Sequence, residues 1–191
     1  YNSINNTESI GAVIKYPSNN NIKKNISKII LKQDITDKKT GVLGFIGAGG
    51  FTENYILPSI KQTKSTLRGI SSINGFTSTN LAKKFKFNYS TSDYKDILND
   101  DKIDTVFITT QHDSHSKFVV ETLNAQKNVF VEKPLAISRN QLNEVISAYE
   151  KNKSNSLIIG FNRRFSPHML AIKESIMPKQ GPVSISITIN A

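Results

Sequence analysis

The chain predicts an α/β fold: a doubly wound parallel sheet, followed by the start of a second α+β domain with a mostly antiparallel sheet. Three observations predict it. From Gly41 onward, short apolar runs alternate with amphipathic helical stretches, the pattern of βαβ crossovers covering both faces of a parallel sheet. The first apolar run, Val42-Leu43-Gly44-Phe45-Ile46, breaks at once into Gly47-Ala48-Gly49-Gly50-Phe51-Thr52, a strand–glycine–helix junction suited to a pyrophosphate. After Gly160 the pattern changes, and Val183-Ser184-Ile185-Ser186-Ile187-Thr188-Ile189 alternates strictly between apolar and polar, as a strand with one buried face does.

Residues 1–40 read as the tail of a preceding domain and a linker. Gly11-Ala12-Val13-Ile14 has strand composition. Residues 17–40 are rich in Asn, Ser, Lys and Asp around a short apolar interruption, Ile29-Ile30-Leu31, which has room for one strand. Residues 41–160 form the main domain, and 161–191 open the second. Within the main domain Val42–Ile46 is the first strand. The next helix, over 51–63, turns Ile56, Leu57 and Ile60 inward and carries Pro58, a kink site. Thr66–Ser72 is a strand, Thr77–Phe85 a helix with Leu81, Ala82 and Phe85 on one face, and Asp93–Leu98 a short helix. Asp104–Thr109 is a buried strand leading to a helix over 114–123 that Asp113 or Ser114 can cap. Asn128–Glu132 is the next strand. A helix at Arg139–Tyr149 places Leu142, Val145, Ile146 and Tyr149 on one face, and Ser156–Gly160 closes the series. A helix around Phe165–Ile176 precedes the alternating strand.

Composition narrows the function classes. At 191 residues and 37% hydrophobic content the chain can bury a full core. It has no cysteine, which excludes a disulfide framework and a thiolate metal site. No run reaches membrane-span length and the first residues lack a signal-peptide layout, so a cytoplasmic protein without a membrane partner is expected. The first residue is Tyr1, not Met, which suggests a segment of a longer polypeptide. The net charge of +10 would suit nucleic acid, but the lysines are scattered and only four of the 25 basic residues are arginine. A solvated lysine surface that attracts anionic small molecules is the expected reading, not a nucleic-acid partner.

Four segments leave strands at the carboxyl edge of the sheet, where ligands bind in such folds. Gly47 permits the tight turn, Gly49 and Gly50 keep side chains away from a dinucleotide, and Phe51 and Thr52 begin the helix. The usual third fingerprint position holds Gly or Ala, and here it is Thr52. Thr109-Thr110-Gln111-His112-Asp113-Ser114-His115 is the second segment. Its His112 and His115 make a poor metal site without Cys or an acidic partner, and His115 reads as a hydrogen-bonding turn residue. Glu132-Lys133-Pro134 is the third. Lys133 can hold a substrate oxygen and stabilise negative charge there, or it is a solvated strand exit, and Pro134 favours a cis bond. Asn162, Arg163 and Arg164 follow the last strand and can hold a ribose, a carboxamide or an anionic substrate, or form an interdomain ion pair.

Together, and in this order, the glycine turn, Thr110…His115, Glu132-Lys133-Pro134 and Gly160…Pro167 resemble the Gfo/Idh/MocA oxidoreductases. That resemblance implies a Rossmann domain, NAD or NADP as cofactor, and hydride transfer at a carbinol carbon of a sugar, polyol or sugar nucleotide. Lys133 is then the catalytic residue on this chain, polarising the reacting oxygen. The resemblance also implies an Asp/His acid–base pair in the C-terminal domain, a homo-oligomer through that domain's sheet, and little turnover by residues 1–191 alone. The spellings around His112 and Arg164, and the segment Gly11 to Pro17, are similar to a subgroup fused behind a zinc-type alcohol dehydrogenase-like domain. Two positions depart from the family pattern. Gln111 and His112 stand where Pro and Asn are usual, and Ser72 stands where an acidic residue would hold the adenosine ribose. No arginine lies beside Ser72, so both NAD and NADP remain open. A non-catalytic dinucleotide-binding module is the alternative, and a methyltransferase a distant one.

Overall fold

The computed structural model describes residues 27–32, 41–177 and 181–188. Its centre is a seven-stranded sheet in the order β1-β4-β3-β2-β5-β6-β7. The strands are β1 (Lys28–Ile30), β2 (Val42–Ile46), β3 (Thr66–Ser71), β4 (Tyr89–Thr91), β5 (Thr105–Ile108), β6 (Asn128–Glu132) and β7 (Leu157–Gly160). Strands β2 to β7 run parallel, and β1 joins β4 antiparallel. From β2 the chain builds outward through β3 and β4, then returns to the other side of β2 to add β5, β6 and β7. The winding therefore reverses between β2 and β5, and their carboxyl ends open a crevice at that point.

Apolar side chains pack both faces of the sheet. On one, Val106, Ile108, Val129 and Val131 meet Val119 and Leu123 of α4 (His115–Asn124) and Val145 and Ala148 of α5 (Arg139–Lys151). On the other, Leu43, Phe45 and Ile70 meet Leu57 of α1 (Leu57–Ile60) and Leu81 and Ala82 of α2 (Gly75–Phe85). A row of stacked rings crosses this second face, with Phe45 and Phe107 centroids 4.9 Å apart and Phe107 and Phe130 4.8 Å apart. Lys127 is buried at the foot of β6, and its ammonium donates to the carbonyls of Asp100 (2.9 Å) and Ile103 (2.8 Å). Burial pushes its pKa below the usual lysine value.

Several elements differ from the sequence expectation. The helix after the glycine turn is not one regular α-helix over 51–63. It widens into a π-turn over Thr52–Ile56, where Leu57 N–H donates to Thr52 O. Pro58 follows directly, in the first turn of α1, where its missing N–H leaves no bond of that helix unmade. Asn74 caps α2 by accepting from Phe76 N–H, so that helix starts two residues early. Strand β4 was not expected, because Tyr89-Ser90-Thr91 is short and mostly polar. Helix α3 covers only Lys95–Leu98, with Asp93 Oδ1 accepting from Lys95 N–H at 2.9 Å. On α5 the buried residues are Val145 and Ala148, while Ile146 is 49% and Tyr149 36% exposed. The helix therefore turns Val145 and Ala148 inward, into the same core cluster as Val119 and Leu123 of α4. Neither Asp113 nor Ser114 caps α4. The interruption at residues 29–31 does form a strand, β1, while Gly11–Ile14 lies outside the described residues.

Beyond β7, a 3-10 turn at Asn162–Phe165 leads into α6 (Pro167–Ile176), which buries no residue. Residues 182–188 form no strand, and Val183, Ile185 and Ile187 are 46%, 64% and 77% exposed. Alternation specifies a face but not a partner strand, and among the described residues none pairs with this segment. No helix among the described residues is long and apolar enough to cross a membrane. Lys127→Met removes the ammonium that donates to the buried Ile103 carbonyl, while Asp100 O keeps Ile103 N–H at 3.0 Å, and should cost about 1–3 kcal/mol of stability, read by urea unfolding.

Candidate active site

The glycine turn follows β2 at the crevice. Gly47 has φ +113°, a left-handed conformation that favours glycine. A Cβ there would lie 2.6 Å from Thr109 O and 2.7 Å from its hydroxyl. The turn is fixed from both sides: Gly47 N–H donates to Ser71 O on β3 and Thr109 N–H to Ile46 O on β2, each at 2.9 Å. Thr52 closes the arrangement. It is fully buried, its hydroxyl donates to Thr109 Oγ1 at 2.7 Å, and Thr109 Oγ1 donates to Gly47 O at 3.2 Å. The residue that departs from the glycine fingerprint thus ties helix, turn and β5 together through two hydroxyls. A Cβ on Gly49 would meet nothing within 4 Å, and one on Gly50 would meet only Asn54 Nδ2 at 3.8 Å. Protein packing does not require glycine at these two positions, and their bare backbone faces open space, as a cradle for a dinucleotide must.

The segments after β5 and β6 are held to each other. His115 is fully buried at the start of α4. Its Nδ1 lies 2.7 Å from Pro134 O and its Nε2 3.1 Å from Thr110 O, and the tautomer decides which carbonyl accepts the N–H of the neutral ring. One imidazole thus lies against both the Thr110 turn and the Lys133–Pro134 turn, whose peptide bond is cis, and a single ring N–H donates to one of the two carbonyls. Ser114 donates to Gln111 O and shares a hydrogen bond with Thr110 Oγ1, both at 2.7 Å. These bonds occupy its hydroxyl, which explains why it does not cap α4. The exposed His112 ring stands edge-on to His115, with centroids 5.8 Å apart.

The segments after β6 and β7 join in the same way. Asn162 Nδ2 donates to Glu132 Oε1 at 2.9 Å. Glu132 reaches across Gly160, where a Cβ would lie 2.7 Å from Oε1. These turns enclose a cavity of about 870 Å³. Phe51, Thr109, Thr110, His112, His115, Glu132, Lys133, Asn162, Arg163 and Arg164 line it. Its charged lining is Lys133, Arg163 and Arg164 against Glu132, which faces Asn162. The cavity can hold a polar ligand and present cationic donors to its oxygens.

The family model described as an oxidoreductase family with an NAD-binding Rossmann fold matches residues 42–161. The chain belongs to the Gfo/Idh/MocA family. An uncharacterized oxidoreductase, YrbE, of Bacillus subtilis (strain 168) is 34% identical over 132 residues, 69% of this chain and 38% of that protein. An inositol 2-dehydrogenase of Salmonella typhimurium is 39% identical over 85 residues, 44% of this chain and 25% of that protein. In fold, the chain resembles a myo-inositol dehydrogenase from Lactobacillus casei solved with NAD(H) and myo-inositol. The TM-score is 0.67 at 23% identity, covering 72% of this chain and 41% of that one. The chain spans well under half the length of these relatives.

Within this Gfo/Idh/MocA domain, Gly47, Gly49, Gly50, Thr52, Ser72 and Gln111 do not line the cavity. The glycine turn lies beside it along the same sheet edge, and Ser72 follows β3, the neighbour of β2 on the side away from the cavity. Sequence reasoning missed Phe161, Met169 and Gly160 in the lining. Phe161 lay inside the Gly160…Pro167 motif without a chemical role assigned to it, and Met169 carried no motif signal. Gly160 carried one, since a strand-end glycine marks a close approach. Thr52→Val keeps the shape of Thr52 but removes its donor, and should cost about 1–3 kcal/mol, whereas Thr52→Ser keeps the bond and should cost less. Thermal unfolding of the two variants against the parent checks this. Gly160→Ala should displace Glu132 and break its bond to Asn162, detectable as a changed Asn162 side-chain amide resonance.

Proposed function

We propose that the chain is the cofactor half of an NAD(P)-dependent oxidoreductase that acts at a carbinol carbon of a sugar, polyol or sugar nucleotide. The observation that carries this reading is the open glycine turn at the winding reversal, on the same sheet edge as a cavity lined by Lys133, Arg163 and Arg164. A bound nicotinamide dinucleotide supplies the hydride acceptor or donor. The chain's own residues bind and orient. The backbone of Gly47, Gly49, Gly50, Phe51 and Thr52 takes the pyrophosphate, while Ser72 faces the adenosine ribose. Thr109, Thr110, Gln111, His112 and His115 shape the nicotinamide side, with Glu132, Asn162, Arg163 and Arg164 opposite.

Lys133 is the catalytic residue in this reading. Its ammonium donates a hydrogen bond to the reacting oxygen and stabilises negative charge that develops there. His115 acts through the backbone by holding Pro134, the residue after Lys133. Among relatives, proteins named as inositol dehydrogenases support a polyhydroxylated substrate, whose hydroxyls suit the cationic lining.

Two substitutions separate binding from chemistry. Gly49→Val places a side chain in open space, so thermal stability without ligand should stay unchanged while dinucleotide affinity falls about tenfold or more. Lys133→Met should leave dinucleotide affinity within about threefold and lower turnover of the whole protein by roughly 10²–10⁴-fold. Unchanged dinucleotide affinity in Gly49→Val would sink the assignment of the cradle.

A further inference from the structure

We infer that Ser72 makes this site accept NADP and NAD with affinities within about tenfold of each other. The inference rests on the dinucleotide reading above and adds the selecting residue. Ser72 directly follows β3, and its N–H donates to Thr91 O at 3.2 Å, which pins it at the carboxyl edge between β3 and β4. A carboxylate at this point of a doubly wound sheet accepts bonds from the ribose hydroxyls of NAD and repels the 2′-phosphate of NADP, whereas a nearby arginine attracts that phosphate. Among the described residues, the turn after β3 and the exit of β4 offer neither.

The turn Ser71-Ser72-Ile73-Asn74-Gly75-Phe76 carries no charge, and β4 exits through the neutral Thr91-Ser92. The two carboxylates next along that edge are engaged locally. Asp93 Oδ1 accepts from Lys95 N–H at 2.9 Å. Asp96 Oδ2 accepts from Thr91 Oγ1 at 2.5 Å and from Ser27 Oγ at 3.4 Å. The arginine on β3, Arg68, lies near the opposite end of that strand, where its Nε meets Asp100 Oδ2 at 2.6 Å. Asn74 Oδ1 is occupied as the cap of α2. What remains at the ribose is the half-buried Ser72 hydroxyl, which can donate to a phosphate oxygen or exchange hydrogen bonds with a ribose hydroxyl. A neutral hydroxyl provides neither the repulsion that selects NAD nor the charge pairing that selects NADP.

Direct titration of the chain with NAD and with NADP, followed by thermal shift and calorimetry, tests this. The parent should bind both with dissociation constants within about tenfold. Ser72→Asp should weaken NADP about tenfold or more while changing NAD less than about threefold, and Ser72→Asn, neutral like the parent, should leave the ratio unchanged. A parent that prefers either dinucleotide by more than about tenfold overturns the inference and leaves the functional reading standing. An unchanged ratio in a folded Ser72→Asp variant overturns the assignment of Ser72. Failure of both dinucleotides to bind overturns the functional reading and this inference with it.

Discussion

The geometry of the site depends on one constraint: the Gly47 carbonyl is held by Thr109, and Thr109 by Thr52. Gly47 turns sharply enough to bring its Cα against β5, where no other residue fits. A turn held only by its own backbone would leave the following helix free to shift along the crevice. The two hydroxyl bonds fix three elements at one point, and each partner is buried or half-buried, where a lost bond is costly. Gly49 and Gly50 can then remain bare, because nothing else is required of them structurally. The open cradle follows from a closed hinge.

The same logic runs along the sheet edge toward the cavity. His115 spans two turns with one ring, and Glu132 spans the next pair through Asn162. Lys133 is placed between these two bridges, so its backbone is fixed while its side chain stays exposed. Parallel strands bring all four turns to one edge, and the bridges set their relative positions. The cationic lining is thus presented by a braced scaffold, as the proposed hold on a reacting oxygen requires.

Much of this was legible in the sequence, for identifiable reasons. The strands β2, β5 and β6 are short, continuous apolar runs, and the glycine turn follows β2 without a gap, so fold and crevice could be read directly. Thr109, Thr110, His115 and Lys133 each sit within a few residues of a strand end, and topology alone brings them together. Other features depend on partners distant in sequence. Thr52 reads as a defect until Thr109, 57 residues away, is placed across the crevice. Strand β4 was hidden because its polar letters are buried by neighbours: the Tyr89 ring lies over Gly69, and burial pushes its phenol pKa well above the usual range. On α5, periodicity favoured Ile146 and Tyr149, but Ala148, with Val145, joins the core cluster shared with α4. The alternating segment at 183–188 shows that an apolar face exists without showing what covers it.

In the proposed function, the glycine turn and the turns after β5, β6 and β7 form one dinucleotide site at the winding reversal. Mapping amide resonances of the chain during titration with a reduced nicotinamide dinucleotide tests it most directly. The account predicts that the shifts concentrate at Gly47–Thr52, Ser72, Thr109–His115, Lys133 and Asn162–Arg164, all on one edge of the sheet. Shifts confined to the opposite edge, around the smaller cavity lined by Lys61, Thr63, Leu67 and Lys86, would contradict it.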